Sequence, residues 1–197
     1  ETSGTTAADP FGNTGTLTNM TGTEWTTGKI GGALAFDGTN DYVGLGNVHN
    51  NLGDATVSAW VYVQGGSGTW RSILMKNKIL GFELNSGNGI TLFLGNGSGW
   101  GPAASSASNV PMNQWVHVAG TRSGSTVTVY IDGVSDGTSS NSATGSNSLS
   151  LGIGAKQFSS VTRYFFPGMI DDVRMYDHAL SVGEISALAA MGAGAPE

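Results

Sequence analysis

The stretch QWVHVAGTRSGSTVTVYIDG, residues 114–133, predicts two β-strands joined by a tight turn. Polar and apolar residues alternate on both sides of Ser123–Gly124, and a period of two is typical of strands. Trp115, His117 and Ala119 therefore share one face of the first strand, and the valines between them share the other. An antiparallel hairpin is the expected structure.

Similar short segments recur along most of the chain, separated by turns rich in glycine, serine and asparagine. Besides the hairpin, strands are expected at 33–36, 41–45, 55–63, 71–76, 81–85, 89–95, 148–155 and 168–177, with polar loops at 65–69, 95–109 and 135–147. One helix is expected after Ser181, an N-cap followed three residues later by Glu184. This order predicts an all-β fold, a two-sheet antiparallel jelly-roll sandwich with one short C-terminal helix. A single domain is expected over 1–192, with 193–197 as a tail or the start of a linker.

The composition excludes several classes of function. The 197 residues include 8 Lys and Arg against 14 Asp and Glu, for a net charge of −6. Nucleic acids and anionic membranes require a basic surface, so neither is an expected partner. There is no cysteine, which excludes disulfides and thiolate sites. No run of about 20 apolar residues suggests a membrane span. The opening, ETSGTTAADPFGN (1–13), is typical of the interior of a longer, exported protein.

The last expected strand contains an unusual carboxylate. In GMIDDVRMYD, residues 168–177, strict alternation places Asp171 on one face with Met169, Val173 and Met175. Three apolar neighbours indicate a core face. A carboxylate there must be hydrogen-bonded, paired or bound to a metal, because burying it alone is costly.

Four segments together resemble a known family. GKIGGALAFDGTNDYVGLG (28–46), ATVSAWVYV (55–63), QWVHVAGTRSGSTVTVYIDGV (114–134) and GMIDDVRMYDHALSVGEI (168–185) occur in this order. They resemble the laminin-G-like, concanavalin-A-like jelly roll, in the bacterial branch related to pentraxins. The resemblance covers roughly residues 5–190 and implies the fold. Its members include lectins, carbohydrate-binding modules, adhesins, protein-binding modules and some glycosidases, so it does not by itself define a function.

The resemblance also implies a structural calcium ion at the sandwich edge, with Asp171 as a ligand. Calcium takes six to eight oxygen ligands, and the N-terminal loop offers Asp9 and Asn13 while the FDGTND segment offers Asp37. Calcium is therefore the expected cofactor. The alternative is that Asp9 and Asp37 form turns and that Asp171 accepts backbone hydrogen bonds near 9–15.

The chain lacks the residue patterns of the enzymes that share this fold. Glucanases of the family place their carboxylates on one strand as E-x-D-x-E or E-x-D-x-x-E, and that pattern is absent. Glu83 is the only acidic residue within 71–94, whereas a retaining glycosidase needs two carboxyls about 5 Å apart. No G-x-S-x-G occurs either. The chain is therefore expected not to be an enzyme.

Aromatic residues in polar loops are the candidate ligand contacts. Binding a neutral glycan requires an aromatic platform with a few hydrogen-bonding groups. Trp70, Arg71, Trp100 and Tyr164 lie in or next to glycine- and serine-rich segments. Each tryptophan could instead fold over the sandwich edge as a packing residue.

The leading hypothesis is a non-catalytic carbohydrate-binding or adhesive module of a larger secreted or cell-surface protein, with a glycan or polysaccharide as its partner. The alternative is a protein–protein interaction or spacer domain without a glycan site. An exposed aromatic cluster distinguishes the two, because a spacer needs none. A monomer is expected, because no long apolar edge is evident in the sequence.

Overall fold

A computed structural model describes residues 3–9, 11–157 and 162–192, and the expected tail 193–197 lies outside them. The strands are β1 (Thr6–Ala8), β2 (Thr14–Thr18), β3 (Trp25–Thr27), β4 (Gly32–Asp37), β5 (Tyr42–Gly44), β6 (Ala55–Val63), β7 (Arg71–Lys76), β8 (Leu80–Leu84), β9 (Ile90–Leu94), β10 (Ala104–Ser105), β11 (Trp115–Ser123), β12 (Thr126–Ile131), β13 (Val134–Ser140), β14 (Leu151–Ile153), β15 (Lys156–Gln157), β16 (Thr162–Arg163) and β17 (Pro167–Tyr176). One helix, α1, spans Val182–Ala190. The division into a domain at 1–192 and a tail stays a prediction.

Two large antiparallel sheets form the predicted sandwich. One has eight strands in the order β1-β2-β5-β14-β7-β8-β9-β10, and the other has seven in the order β13-β12-β11-β6-β17-β4-β3. The short β15–β16 hairpin lies beside β7 and β14 of the eight-stranded sheet. The expected hairpin is confirmed as β11 and β12, with Ser123 paired to Thr126.

The core lies between the two sheets and follows the predicted alternation. From the seven-stranded sheet, β6 and β11 contribute inward-facing valines, including Val61 and Val118. From the eight-stranded sheet, β8 and β9 contribute Phe82 and Leu92. All four side chains are at most 3% exposed. Burying such apolar surface is the main force that holds the sheets together.

The single predicted helix is confirmed, together with its N-terminal cap. The Ser181 hydroxyl accepts a hydrogen bond from the Glu184 amide, and the Glu184 carboxylate accepts one from the Ser181 amide. Ile185 and Leu188 are buried against Ala119 and Tyr130 on the outer face of the seven-stranded sheet. Within the described residues, no helix is long and apolar enough to cross a membrane.

Two segments predicted as loops contain strands. The sequence predicts a polar loop over 135–147, yet β13 (Val134–Ser140) pairs with β12 at the sheet edge. The segment 95–109 likewise contains β10 and a bridge between Gly95 and Trp100. The strands β1, β2 and β3 were not expected from the sequence at all. Their short, threonine-rich segments carry no clear apolar alternation, but their backbones extend one edge of each large sheet.

The predicted faces of β17 are wrong. Ile170 lies in the core between the sheets. Asp171, the next residue, lies on the opposite face of β17 and pairs with Trp60 of β6. The register shifts between Asp171 and Arg174, and Asp172 adopts a positive φ of 49°. This β-bulge reverses the order of the faces, so Val173 packs against the core although Asp171 does not.

Candidate functional site

Four aromatic side chains surround a cleft on the outer face of the eight-stranded sheet. The centroid of the Phe93 ring lies 5.5 Å from that of Trp70 and 5.6 Å from that of Trp100. Tyr164, which is 37% exposed, completes the aromatic lining. Glu83 and Lys156 supply the polar lining of this cavity of about 150 Å³. We call it the aromatic cleft.

Strand alternation places Glu83 and Phe93 in the cleft. On β8, Phe82 and Leu84 face the core, so Glu83 between them points outward. On β9, Leu92 and Leu94 face the core, and Phe93 points outward in the same way.

A hydrogen-bond network links the floor of the cleft to its rim. The Ser72 hydroxyl donates to Glu83 Oε1 at 2.6 Å, and the Ser72 amide donates to the Tyr164 carbonyl at 2.8 Å. Tyr164 adopts a positive φ of 58°, a conformation that is uncommon for a large side chain. Ser72 therefore fixes both the carboxylate and the backbone that presents the tyrosine ring.

Lys156 lies between two of the aromatic rings. Its Nζ is 5.1 Å from the centroid of Trp100 and 5.5 Å from that of Tyr164, within the range of cation–π attraction. Burial lowers the pKa of Lys156, and the charge of Glu83 opposes that shift. Burial raises the pKa of Glu83, while the Ser72 hydrogen bond and Lys156 oppose it. The two charges thus stabilise each other inside a largely apolar cleft.

A second cavity of about 380 Å³ adjoins the first. Trp100 and Lys156 line both cavities. The remaining lining of the second comes from Asn77, Lys78, Gly97, Asn147 and Leu149. We call it the amide cleft. Together the two clefts offer a larger ligand a continuous wall at Trp100.

Three of the four ligand contacts expected from the sequence lie around the aromatic cleft, namely Trp70, Trp100 and Tyr164. Arg71 does not. It is 1% exposed, and its guanidinium donates to the carbonyls of Gly65 and Asn85 and to the side chain of Asn88. Arg71 therefore stabilises the loops beside the cleft, and we leave it out of the site.

Sequence reasoning did not include Phe93 and Lys156 among the site residues. Phe93 could have been found, because it alternates with core residues in ITLFL and so had to face outward. Lys156 gave no such signal, since the two-residue strand β15 is too short to show a pattern.

The four expected metal ligands occupy separate places in the structure. Asp37 on β4 pairs opposite Pro167 on β17. Asp171 lies four residues beyond Pro167 on β17, a separation of about 13 Å along the strand. Asp9 and Asn13 belong to the β1–β2 turn of the other sheet. Among the described residues, no three His, Asp or Glu side chains are placed to hold a metal ion together.

These carboxylates have local hydrogen-bond partners instead. Asp171 Oδ2 accepts from the Ile30 amide at 2.7 Å, and burial raises the pKa of this carboxyl. The partner segment is thus 29–30, not the expected 9–15. Asp37 accepts from the Thr39 amide at 2.7 Å, and Asp9 accepts from the Asn13 amide at 2.8 Å. The residues do not fit a single calcium site, and calcium binding stays a prediction.

The fold and the clefts define a β-sandwich with an aromatic surface site. The family model Laminin_G_3, described as the concanavalin A-like lectin/glucanases superfamily, matches residues 37–186. The chain therefore belongs to this family, as its sequence indicated. A comparison with curated proteins found no match.

Solved structures with the same fold include sugar-binding domains. Domain 4 of AbnA, a GH43 extracellular arabinanase from Geobacillus stearothermophilus, solved with arabinotriose, is 25% identical with a TM-score of 0.62, over 84% of this chain and 80% of that one. The Ruminococcus gnavus IT-sialidase CBM40, solved with α2,3-sialyllactose, is 17% identical with a TM-score of 0.59, over 71% and 84%. The heptameric SAP-like pentraxin of Limulus polyphemus is 20% identical with a TM-score of 0.60, over 79% and 80%. The latter two likenesses concern the fold alone.

Proposed function

We propose that this chain is a non-catalytic carbohydrate-binding module and that the aromatic cleft is its sugar site. The observation that carries the proposal is the cluster of Trp70, Phe93, Trp100 and Tyr164 around two hydrogen-bonding side chains. Sugar rings present apolar C–H faces that pack on aromatic rings, while their hydroxyls require a few polar partners. Glu83 and Lys156 can accept and donate such hydrogen bonds.

The number of carboxylates that line the clefts supports sugar binding rather than hydrolysis. Among the described residues, Glu83 is the one carboxylate that lines either cleft. Glycoside hydrolysis by the common mechanism requires two carboxyl groups, about 5 Å apart in retaining enzymes and further apart in inverting ones. A single hydrogen-bonded glutamate is suited to holding a sugar hydroxyl.

The module would act as part of a larger secreted or cell-surface protein. The arabinanase that contains the domain with 25% identity is extracellular, which supports this setting. We propose that the module works as a monomer, and light scattering would then give a mass near 20.1 kDa. A mass of several chains would contradict that.

A glycan array with the chain and two variants tests the function. Trp100→Ala removes a wall of the cleft, and loss of such an aromatic anchor typically costs roughly 2 kcal/mol, or about thirtyfold in Kd. Trp115→Ala is the matched control, because Trp115 packs on Tyr62 in the other sheet. We expect the wild type and Trp115→Ala to bind the same sugars, and Trp100→Ala to lose them. No sugar binding by the wild type would instead favour a spacer or protein-binding domain.

A further inference from the structure

The eight Lys and Arg side chains divide into two groups. Five have structural partners and line neither cleft. Arg71, Lys76 and Arg122 donate to backbone carbonyls, Arg174 pairs with Asp172 at 2.8 Å, and Lys29 lies over the Trp60 ring at 5.0 Å. Of the other three, Lys78 and Lys156 line the amide cleft, and Arg163 lines neither cleft but pairs opposite Lys156.

The strands β15 and β16 bring two of these three cations to the same place. Lys156 pairs directly opposite Arg163, and directly opposed residues project from the same face of a hairpin. Arg163 also precedes Tyr164, which lines the aromatic cleft. Lys78 is exposed in the turn between β7 and β8, flanked by the buried Asn77 and Ile79, and lines the amide cleft.

No described carboxylate lines the amide cleft itself, although Glu83 in the adjoining aromatic cleft offsets part of the charge of Lys156. The lining of the amide cleft combines Lys78 and Lys156 with the side-chain amides of Asn77 and Asn147, and no described Asp or Glu contributes. Glu83 lines the aromatic cleft only and is 3% exposed. The protein as a whole has a net charge of −6, so its composition does not predict a positively charged cleft. A cleft of one sign concentrates ligands of the opposite sign.

From this distribution we infer that the ligand is an acidic saccharide, one that carries a carboxylate or a sulfate group. Its ring packs in the aromatic cleft, and its anionic group enters the amide cleft between Lys78 and Lys156. The Asn77 amide nitrogen is a further donor for its oxygens, and Asn147, whose Nδ2 donates to the Asn77 carbonyl at 2.7 Å, has a second N–H. The exposed Arg163, which pairs opposite Lys156, adds positive charge on the β15–β16 hairpin. This inference rests on the proposed carbohydrate-binding function and adds the chemical class of the sugar.

The test uses an array of matched sugar pairs. Oligosaccharides that contain uronate, sialate or sulfate are printed beside their carboxyl-reduced or desulfated counterparts. Lys78→Asn removes one charge from the amide cleft, and asparagine tolerates the left-handed backbone at this position, where φ is 63°. Lys29→Asn is the matched control, with the same charge change on the other sheet.

We expect the wild type and Lys29→Asn to prefer the acidic member of a pair, with binding that weakens as salt is added. Lys78→Asn should bind that member about threefold to tenfold more weakly and its neutral counterpart unchanged. Preference for the sulfated or for the carboxylated sugars identifies the anion. Equal or stronger binding of the neutral members would overturn the acidic class but leave the sugar site intact. Binding of no sugar at all would overturn both proposals.

Discussion

Replacing His117 with phenylalanine should remove much of the chain's sensitivity to mild acid. His117 is 2% exposed and lies against Trp60, with 5.4 Å between the ring centroids. Its Nδ1 is buried without a hydrogen-bond partner. Burial lowers the pKa of His117 from 6.5 to about 4, and the positive charge of Arg174 adds to the shift.

The sign and size of the effect follow from proton binding in the two states. Between pH 6.5 and pH 4 the unfolded chain takes up a proton at His117 that the folded chain does not. Acid therefore lowers the free energy of unfolding. The contribution of neutral His117 to that free energy is complete above pH 6.5 and is lost below about pH 4. The whole contribution is about 3 kcal/mol, of which about 2 kcal/mol is lost by pH 5.

Urea unfolding followed by tryptophan fluorescence at pH 7, 6 and 5 measures the effect. The difference in free energy of unfolding between wild type and His117→Phe should shift by about 2 kcal/mol in favour of the variant between pH 7 and pH 5. Groups common to both proteins, such as Asp171 and Glu83, cancel in this difference. A His49→Gln variant is the control, because His49 is exposed; desolvation also lowers its pKa, but removing it should change the pH dependence less than removing the buried His117. A wild-type–variant difference that stays constant with pH would refute the buried, neutral state of His117.

Three other perturbations test the structure. Asp171→Ala should cost about 1–3 kcal/mol of stability in urea unfolding by leaving the Ile30 amide unpaired, whereas Asp172→Asn should cost less than about 1 kcal/mol; equal costs would contradict the buried role of Asp171. Gly95→Ala should lower the free energy of unfolding by about 1–3 kcal/mol, because the added Cβ would collide with the Lys78 carbonyl. Gly53→Ala, whose Cβ meets open space, should change it by no more than about 0.5 kcal/mol. A tolerated Gly95→Ala would show that the loop before Trp100 can move. If the predicted calcium ion binds, calcium at a hundred times its Kd should add about 2.7 kcal/mol of stability and raise the melting temperature; identical melting in calcium and in chelator would remove calcium from the description of this chain.

Where the sequence has a strong local pattern, it predicts the fold correctly. The alternation in 55–63 and 114–133 defines which residues share a face, and in both segments the valines face the core. Ser181 and Glu184 define the start of the helix, because their capping bonds involve only neighbouring residues. Such interactions depend on a few adjacent side chains and are readable without knowing the rest of the structure.

The tertiary structure alone decided the rest. The bulge at Asp172 reverses the faces of β17, and strict alternation cannot reveal an inserted residue. Arg71 and Trp70 are adjacent in the sequence, yet one is buried against carbonyls and the other lines the cleft. The cleft combines positions 70, 83, 93, 100, 156 and 164, because β14 pairs with β7 across a long sequence separation and brings β15 beside it. The sequence alone indicated Trp70, Trp100 and Tyr164 as candidate surface aromatics, because they lie in or next to polar loops. Only strand pairing between distant segments determined that they share one surface with Phe93.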